Sequence, residues 1–206
     1  MREHKFVTLV FLTMFLIVPL QAQWEFGGLI DFNLANISVN PVATGEDYSS
    51  RLGFGLGIVV DYPITDQLDL HAEPMFLQKG GRIDITSEVI VFKLNYFEIP
   101  LMLRYTFEYD ASFLPYAMAG PSIGLLTSAK YDNNEGRVQD EKDSTKGIDL
   151  GVGFGGGVKL PKGNKTFFAE VRYVLGLVDI NKEANESTVK NRGLQVVAGV
   201  TIPINL

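Results

Sequence analysis

The chain has 206 residues, enough for one domain, with 46% hydrophobic and 20% charged residues, so a disordered chain is excluded. It holds 21 Gly and no Cys, which excludes a disulfide scaffold, a thiol nucleophile and a Cys-based zinc or iron–sulfur site. A formal net charge of −6 argues against a general nucleic-acid binder, which needs a basic face.

At the N-terminus, Arg2 and Lys5 precede a run from Phe6 to Leu20 that is apolar apart from Thr8 and Thr13. Leu20-Gln21-Ala22 then leads into Gln23. A basic start, an apolar stretch and a small-residue exit predict a cleavable signal peptide over residues 1–22, with the mature domain at 23–206. The apolar run, about 15 residues, falls short of the ~20 that a spanning helix needs. Losing Arg2, Glu3 and Lys5 takes the chain from 18 basic and 24 acidic residues to 16 and 23, a net −7. Later apolar runs are all broken by charge or Pro, so the mature chain is soluble beyond the inner membrane or crosses the outer membrane as strands.

Eight stretches then alternate with the period of two that a strand imposes. The first sets Phe26, Ile30, Phe32 and Leu34 against Glu25, Asp31 and Asn33. The second sets Leu52, Phe54, Leu56, Ile58, Val60 and Tyr62 against Arg51, Gly53, Gly55, Gly57, Val59 and Asp61. The third opposes Leu68, Leu70, Ala72, Pro74 and Phe76 to Asp69, His71, Glu73 and Met75. In the fourth, Phe97, Ile99, Leu101, Leu103, Tyr105 and Phe107 face away from Tyr96, Glu98, Met102 and Arg104. The fifth is weaker, with Phe113, Ala117, Ala119, Ile123 and Leu125 on one parity and Pro115 and Pro121 within it. The sixth opposes Ile148, Leu150, Val152, Phe154, Val158 and Leu160 to Asp149, Gly151, Gly153, Gly155, Gly157 and Lys159. The seventh opposes Phe167, Ala169, Val171, Tyr173 and Leu175 to Phe168, Glu170, Arg172 and Val174. The eighth runs from Leu194 through Val196, Ala198, Val200, Ile202 and Ile204 to Leu206.

Soluble barrels alternate too, so the second parity decides. It is rich in Gly, with charges of both signs. Gly on a solvated strand face only weakens the strand. Inside a narrow barrel it makes room for Glu, Arg and Tyr to pack. The pattern therefore predicts an all-β fold: an eight-stranded antiparallel up-and-down transmembrane β-barrel, apolar outside and polar inside. Gap lengths agree. The segments are joined alternately by long gaps (38–50, 80–92, 127–147, 181–191) and short ones (63–67, 108–112, 161–166). Short turns on one side and longer loops on the other are usual in outer-membrane barrels. Trp24, Tyr62, Tyr105, Phe107, Phe113 and Phe167 lie near the short-turn ends, where an interfacial aromatic girdle belongs.

Several strings carry a resemblance: Gly53-Phe54-Gly55-Leu56-Gly57 running into Asp61-Tyr62-Pro63-Ile64, and Glu73-Pro74-Met75-Phe76-Leu77-Gln78-Lys79-Gly80. Leu94-Asn95-Tyr96-Phe97-Glu98-Ile99-Pro100-Leu101, Pro115-Tyr116-Ala117-Met118-Ala119-Gly120-Pro121 and Glu170-Val171-Arg172-Tyr173 add to it. In these the chain resembles the outer-membrane β-barrel domain family of the Bacteroidota, typified by PorT-like proteins. The resemblance implies the barrel fold and an outer-membrane location, with accessory work in type IX secretion as one implied role. Barrels of this kind generally end on an aromatic residue, whereas this chain ends Ile204-Asn205-Leu206.

Asp31, Arg51, Glu73, Glu98, Arg104, Lys159, Glu170 and Arg172 all fall on the inward parity. An eight-stranded barrel has room mainly for side chains, so these residues are expected to form an interior ion-pair network rather than a pore or an acid/base pair. Gly151-Val152-Gly153-Phe154-Gly155-Gly156 matches a dinucleotide-binding pattern, but a Pro-Gly turn rather than a helix follows it, so it reads as barrel strand. His71 is the single histidine after signal removal, too little for a metal site or a Ser–His–Asp triad. The acidic stretch from Tyr131 to Asp143 lacks the spacing of a calcium loop and reads as solvated surface.

The expected function is that of a small non-enzymatic outer-membrane barrel without cofactor or metal. Its role would be structural or protein-interaction, through the long loops or the short-turn rim. Its partners would be outer-membrane lipid, the barrel-assembly machinery and a protein at one of those ends, with no nucleic acid. A soluble periplasmic lipocalin-like binder, with the apolar parity inward, is the contrasting expectation.

Overall fold

The computed structural model describes residues 23–42, 45–85, 88–107, 112–133, 138–183 and 187–204. The predicted signal peptide and the last two residues lie outside them. Among the described residues no helix is long and apolar enough to cross a membrane.

Eleven strands follow in chain order: β1 (Trp24–Asn40), β2 (Glu46–Ser49), β3 (Arg51–Pro63), β4 (Leu68–Ala72), β5 (Met75–Ile85), β6 (Glu88–Thr106), β7 (Leu114–Asn133), β8 (Val138–Asp140), β9 (Ile148–Lys162), β10 (Lys165–Gly176) and β11 (Thr188–Ile204). All pairings are antiparallel. β1 lies between β3 and β11, β11 pairs β10, β10 pairs β9, and β9 pairs β7. β7 pairs β6, and β6 is joined to β3 by β4 and β5 in turn. The ladder thereby returns to its start with eight positions, since β4 and β5 share one. Closure leaves no edge along the circuit to template aggregation.

The interruption between β4 and β5 falls at Glu73-Pro74, where the proline has no N–H to give the ladder. The Pro74 carbonyl still accepts from Ile58 N at 3.0 Å, and Glu73 N donates to Pro100 O at 3.1 Å, so the wall stays bonded across the break. At the turn between β9 and β10, Gly163 takes φ 64°, a conformation that favours glycine.

The wall is inverted relative to a soluble protein. Leu56 is 66% exposed and Phe76 64%, whereas Arg104 and Arg172 are 1% exposed. Both parities of the second, sixth and seventh sequence segments fall as the alternation predicts. The contrasting expectation, a soluble binder with its apolar parity inward, is overturned by this exposure. Glycines serve the inner face where side chains cross it. A Cβ on Gly157 would stand 2.6 Å from Tyr116 Oη and 2.7 Å from Glu170 Cβ.

The long gaps need correction. Most of 80–92 is strand, because β5 and β6 continue as a hairpin from Gln78↔Asn95 up to Ile85↔Glu88. Similarly β7 runs on to Asn133 and carries β8, while β2 sits on β5. The sequence pattern predicts loops at these ends because apolar alternation, which lipid enforces, fades above the band that lipid covers. With about 3.4 Å per residue and a tilt near 45°, the 19 residues of β6 rise roughly 45 Å, nearly twice the ~25 Å apolar band of such barrels. Around β9 and β10 the wall is lower. β9 begins at Ile148 opposite Leu125, and β7 continues well past that point.

Candidate functional site

Two features stand inside the circuit: a polar network across the lumen and a cleft at its long-loop end. The network follows from parity. Strand period two sends Asp31, Asp61, Asp69, His71, Glu73, Lys79, Glu98, Arg104, Asp149, Glu170 and Arg172 to the interior, where all are buried.

Near the short turns, Arg104 Nε donates to Asp69 at 2.7 Å and Nη2 to Asp61 at 2.7 Å, while Lys159 Nζ reaches Asp69 at 2.8 Å. His71 lies between two carboxylates, with Nδ1 against Asp61 and Nε2 3.0 Å from Glu73. Arg172, on β10, crosses to Glu73, and its Nη1 is also 3.1 Å from Glu170. Its Nε donates to Gln195 at 2.5 Å, and Nη2 is 3.9 Å from Asp31. Tyr116 donates to Glu170 at 2.7 Å, and the Arg104 guanidinium lies 5.2 Å from the Tyr116 ring centre. Higher up, Lys79 pairs with Glu98 and, at 3.0 Å, with Asp149, and Asn191 Nδ2 donates to Asp149 at 2.9 Å.

Of the eight interior residues expected from sequence, six enter ion pairs within hydrogen-bonding reach: Glu73, Glu98, Arg104, Lys159, Glu170 and Arg172. Asp31 is buried beside Arg172 without a hydrogen-bond partner for either oxygen. Arg51 differs from the rest: half-buried, it donates to the Lys79 carbonyl at 2.7 Å. The inner parity read from sequence also holds Asp61, Asp69 and Asp149, which the expected network leaves out, while Lys79 and Gln195 are added by the structure. Lys79 shares the parity of Glu73, so the signal was present there.

His71, Glu73 and Glu170 each offer a ligand atom within 4.8 Å of the others. Arg172 Nη1 contacts both carboxylates, so a guanidinium holds the position a cation would take.

The cleft, about 320 Å³, is walled by Ile37 and Val39 of β1, Tyr48 of β2, Ile83 of β5, and Phe92 and Leu94 of β6. Segments after β8 and β10 fold inward to complete it. Lys146 N donates to Ile180 O at 2.7 Å, Lys182 N to Ser144 O at 3.0 Å, and Ile180 N to Val189 O at 2.8 Å. This pins Ile180 onto Leu94, Tyr96 and Ala129, an apolar layer between the cleft and the Lys79 cluster. Tyr48 donates to Glu46, and partial burial together with that carboxylate pushes its phenol up to about 12. Partial burial alone would raise the Asp179 carboxyl, but the Val189 and Asn181 amides and the Lys146 ammonium outweigh it and hold it below its ordinary range.

An antiparallel ladder closed on itself, apolar outside and ionic inside, defines a membrane β-barrel. The chain belongs to the outer membrane protein beta-barrel domain family, which it matches over residues 21–182. It is a protein of the bacterial outer membrane. The match is to the family as a whole and does not resolve the PorT-like group. No curated protein sequence matches the chain. Among solved structures, Neisserial surface protein A is similar at a TM-score of 0.57 and 20% identity, covering 88% of this chain and 97% of that one. The outer membrane protein AlkL, solved in DMPC bilayers, gives 0.52 at 14% identity, covering 90% and 92%. OprG from Pseudomonas aeruginosa gives 0.48 at 12% identity, covering 90% and 97%. At these identities the likeness is one of fold alone.

Proposed function

We propose that the chain is an eight-stranded transmembrane barrel that neither conducts nor catalyses. It serves the outer membrane as a structural or protein-interaction element, through its long-loop end or its short-turn rim. On this reading it is exported as a precursor, loses residues 1–22, and is inserted by the barrel-assembly machinery into lipid that covers its apolar face.

The observation that carries it is the occupied lumen. Arg172 reaches across the lumen from β10 to Glu73, Lys79 spans from β5 to Asp149 on β9, and Tyr116 passes over β9 to Glu170, so side chains from well-separated strands meet in the interior. Ile180 and its apolar neighbours add a second layer above them. The His71 nitrogens are engaged by Asp61 and Glu73 rather than by a hydroxyl, so among the described residues His71 activates no nucleophile.

Single-channel recording on protein reconstituted in liposomes tests this. Background conductance is expected, and a stable large pore would overturn the reading. Membrane fractionation with gel mobility before and after boiling tests the barrel itself: a folded barrel stays compact in detergent until heated.

A further inference from the structure

We propose that the long-loop cleft is a binding site for a small cationic amphiphile, an alkyl chain bearing a quaternary ammonium head. The proposal does not depend on the structural role given above, because it needs only the cleft and its floor.

The shape comes first. A volume of about 320 Å³ lies at the lower end of the roughly 300–1,000 Å³ typical of small-molecule sites. It is blind, because Ile180 packed on Leu94 and Tyr96 closes it below. Its walls are held by backbone hydrogen bonds between the inward-folded segments, so the space is formed before a ligand arrives. An entering molecule therefore stops there.

The lining has two zones. Ile37, Val39, Ile83, Leu94, Ile180 and Val189 offer a surface suited to an alkyl chain. The charged groups in the lining are Glu46, Glu141 and Glu183, and no Lys or Arg is among the described lining residues. Three carboxylates without a cation attract positive charge and repel an anionic head. Tyr48 and Phe92 add aromatic faces, which bind quaternary ammonium through the ring quadrupole. Apolar depth, aromatic faces and acidic groups together select one chemistry: a tail with a cationic head.

The test uses the full chain, refolded in nanodiscs of zwitterionic lipid. Decyltrimethylammonium is titrated in, with isothermal calorimetry and NMR of labelled Tyr and Phe as readouts and protein-free discs as the partition control. Saturable binding beyond that control is expected, with decyl sulfate and tetramethylammonium each at least about tenfold weaker. The triple variant E46Q/E141Q/E183Q keeps its heat-modifiable mobility and binds the ammonium about tenfold more weakly, the order expected for three exposed charge contacts. A second variant, I83W, fills the cleft and abolishes saturable binding. Uptake no greater than in empty discs overturns the proposal, as does equal binding of the sulfate. Should the triple variant misfold, the discrimination between ammonium and sulfate by the unaltered chain decides alone.

Discussion

Replacing Arg172 with Met removes the cation that three interior carboxylates share. Its guanidinium contacts Glu73 and, at 3.1 Å, Glu170, and it stands 3.9 Å from Asp31. Removing one partner of a buried ion pair costs about 3–5 kcal/mol, because the remaining charge is left uncompensated. His71 still faces Glu73 at 3.0 Å and Tyr116 still donates to Glu170 at 2.7 Å, which places the loss near the lower bound, about 3 kcal/mol. Against the roughly 5–15 kcal/mol that holds a folded domain together, this is a large fraction. Urea unfolding of the reconstituted barrel, followed by Trp24, the single tryptophan, measures it. The triple variant R172M/E73Q/E170Q removes the charges together and should recover most of the loss. An R172M barrel within about 0.5 kcal/mol of the parent at neutral pH, below the effect of an ordinary core change, would refute the reasoning.

Three further outcomes are expected. Gly157→Leu drives a side chain into Tyr116 Oη and Glu170 Cβ, and should cost about 1–3 kcal/mol or more in the same titration, while Gly163→Asn, at an exposed turn, should cost far less. Leu56 lies six residues above Tyr62, or roughly 14 Å at a 45° tilt, near the middle of the apolar band, so Leu56→Arg should cost about 2–4 kcal/mol, whereas Val42→Arg beyond the band should be near neutral. Because the Asp179 carboxyl is held below its ordinary value of 3.8, its contribution to loop order is full above that pH and fades as pH falls through the lowered value. Protection of the Val189 and Asn181 amides against hydrogen exchange, taken relative to each amide's intrinsic rate at the same pH, should therefore fall in acid, and Asp179→Asn should remove that change in protection.

Parity was the legible part of this fold. In 51–62 and 148–160, lipid demands apolar residues on one side and crowding demands Gly or charge on the other, so period two survives in the sequence. The hairpin joining β5 and β6 is illegible for the converse reason: above the lipid, Arg82, Asp84 and Lys93 are as acceptable as Ile83 and Val91. The split at Glu73-Pro74 is invisible to the pattern, since a proline's missing donor disturbs hydrogen bonding without disturbing parity. For the network, inward residues were readable and their partners were not. Arg172 meets Glu73 from across the lumen, 99 residues away in sequence. Only closure of the ladder brings those walls together. The cleft has no sequence signal, because it is assembled from segments scattered along the chain from Ile37 to Val189.

Within lipid the protein is close to a cylinder, and one direction around it is much like another. Above the lipid that equivalence ends. β5, β6 and β7 rise as a three-stranded screen bearing β2 and β8, while the wall at β9 and β10 stops low and its connecting segments bend inward. The exposed end therefore has a back and a front. Anything anchored in the same membrane meets the screen from one bearing and the low side from another, so rotation about the membrane normal becomes a variable of encounter.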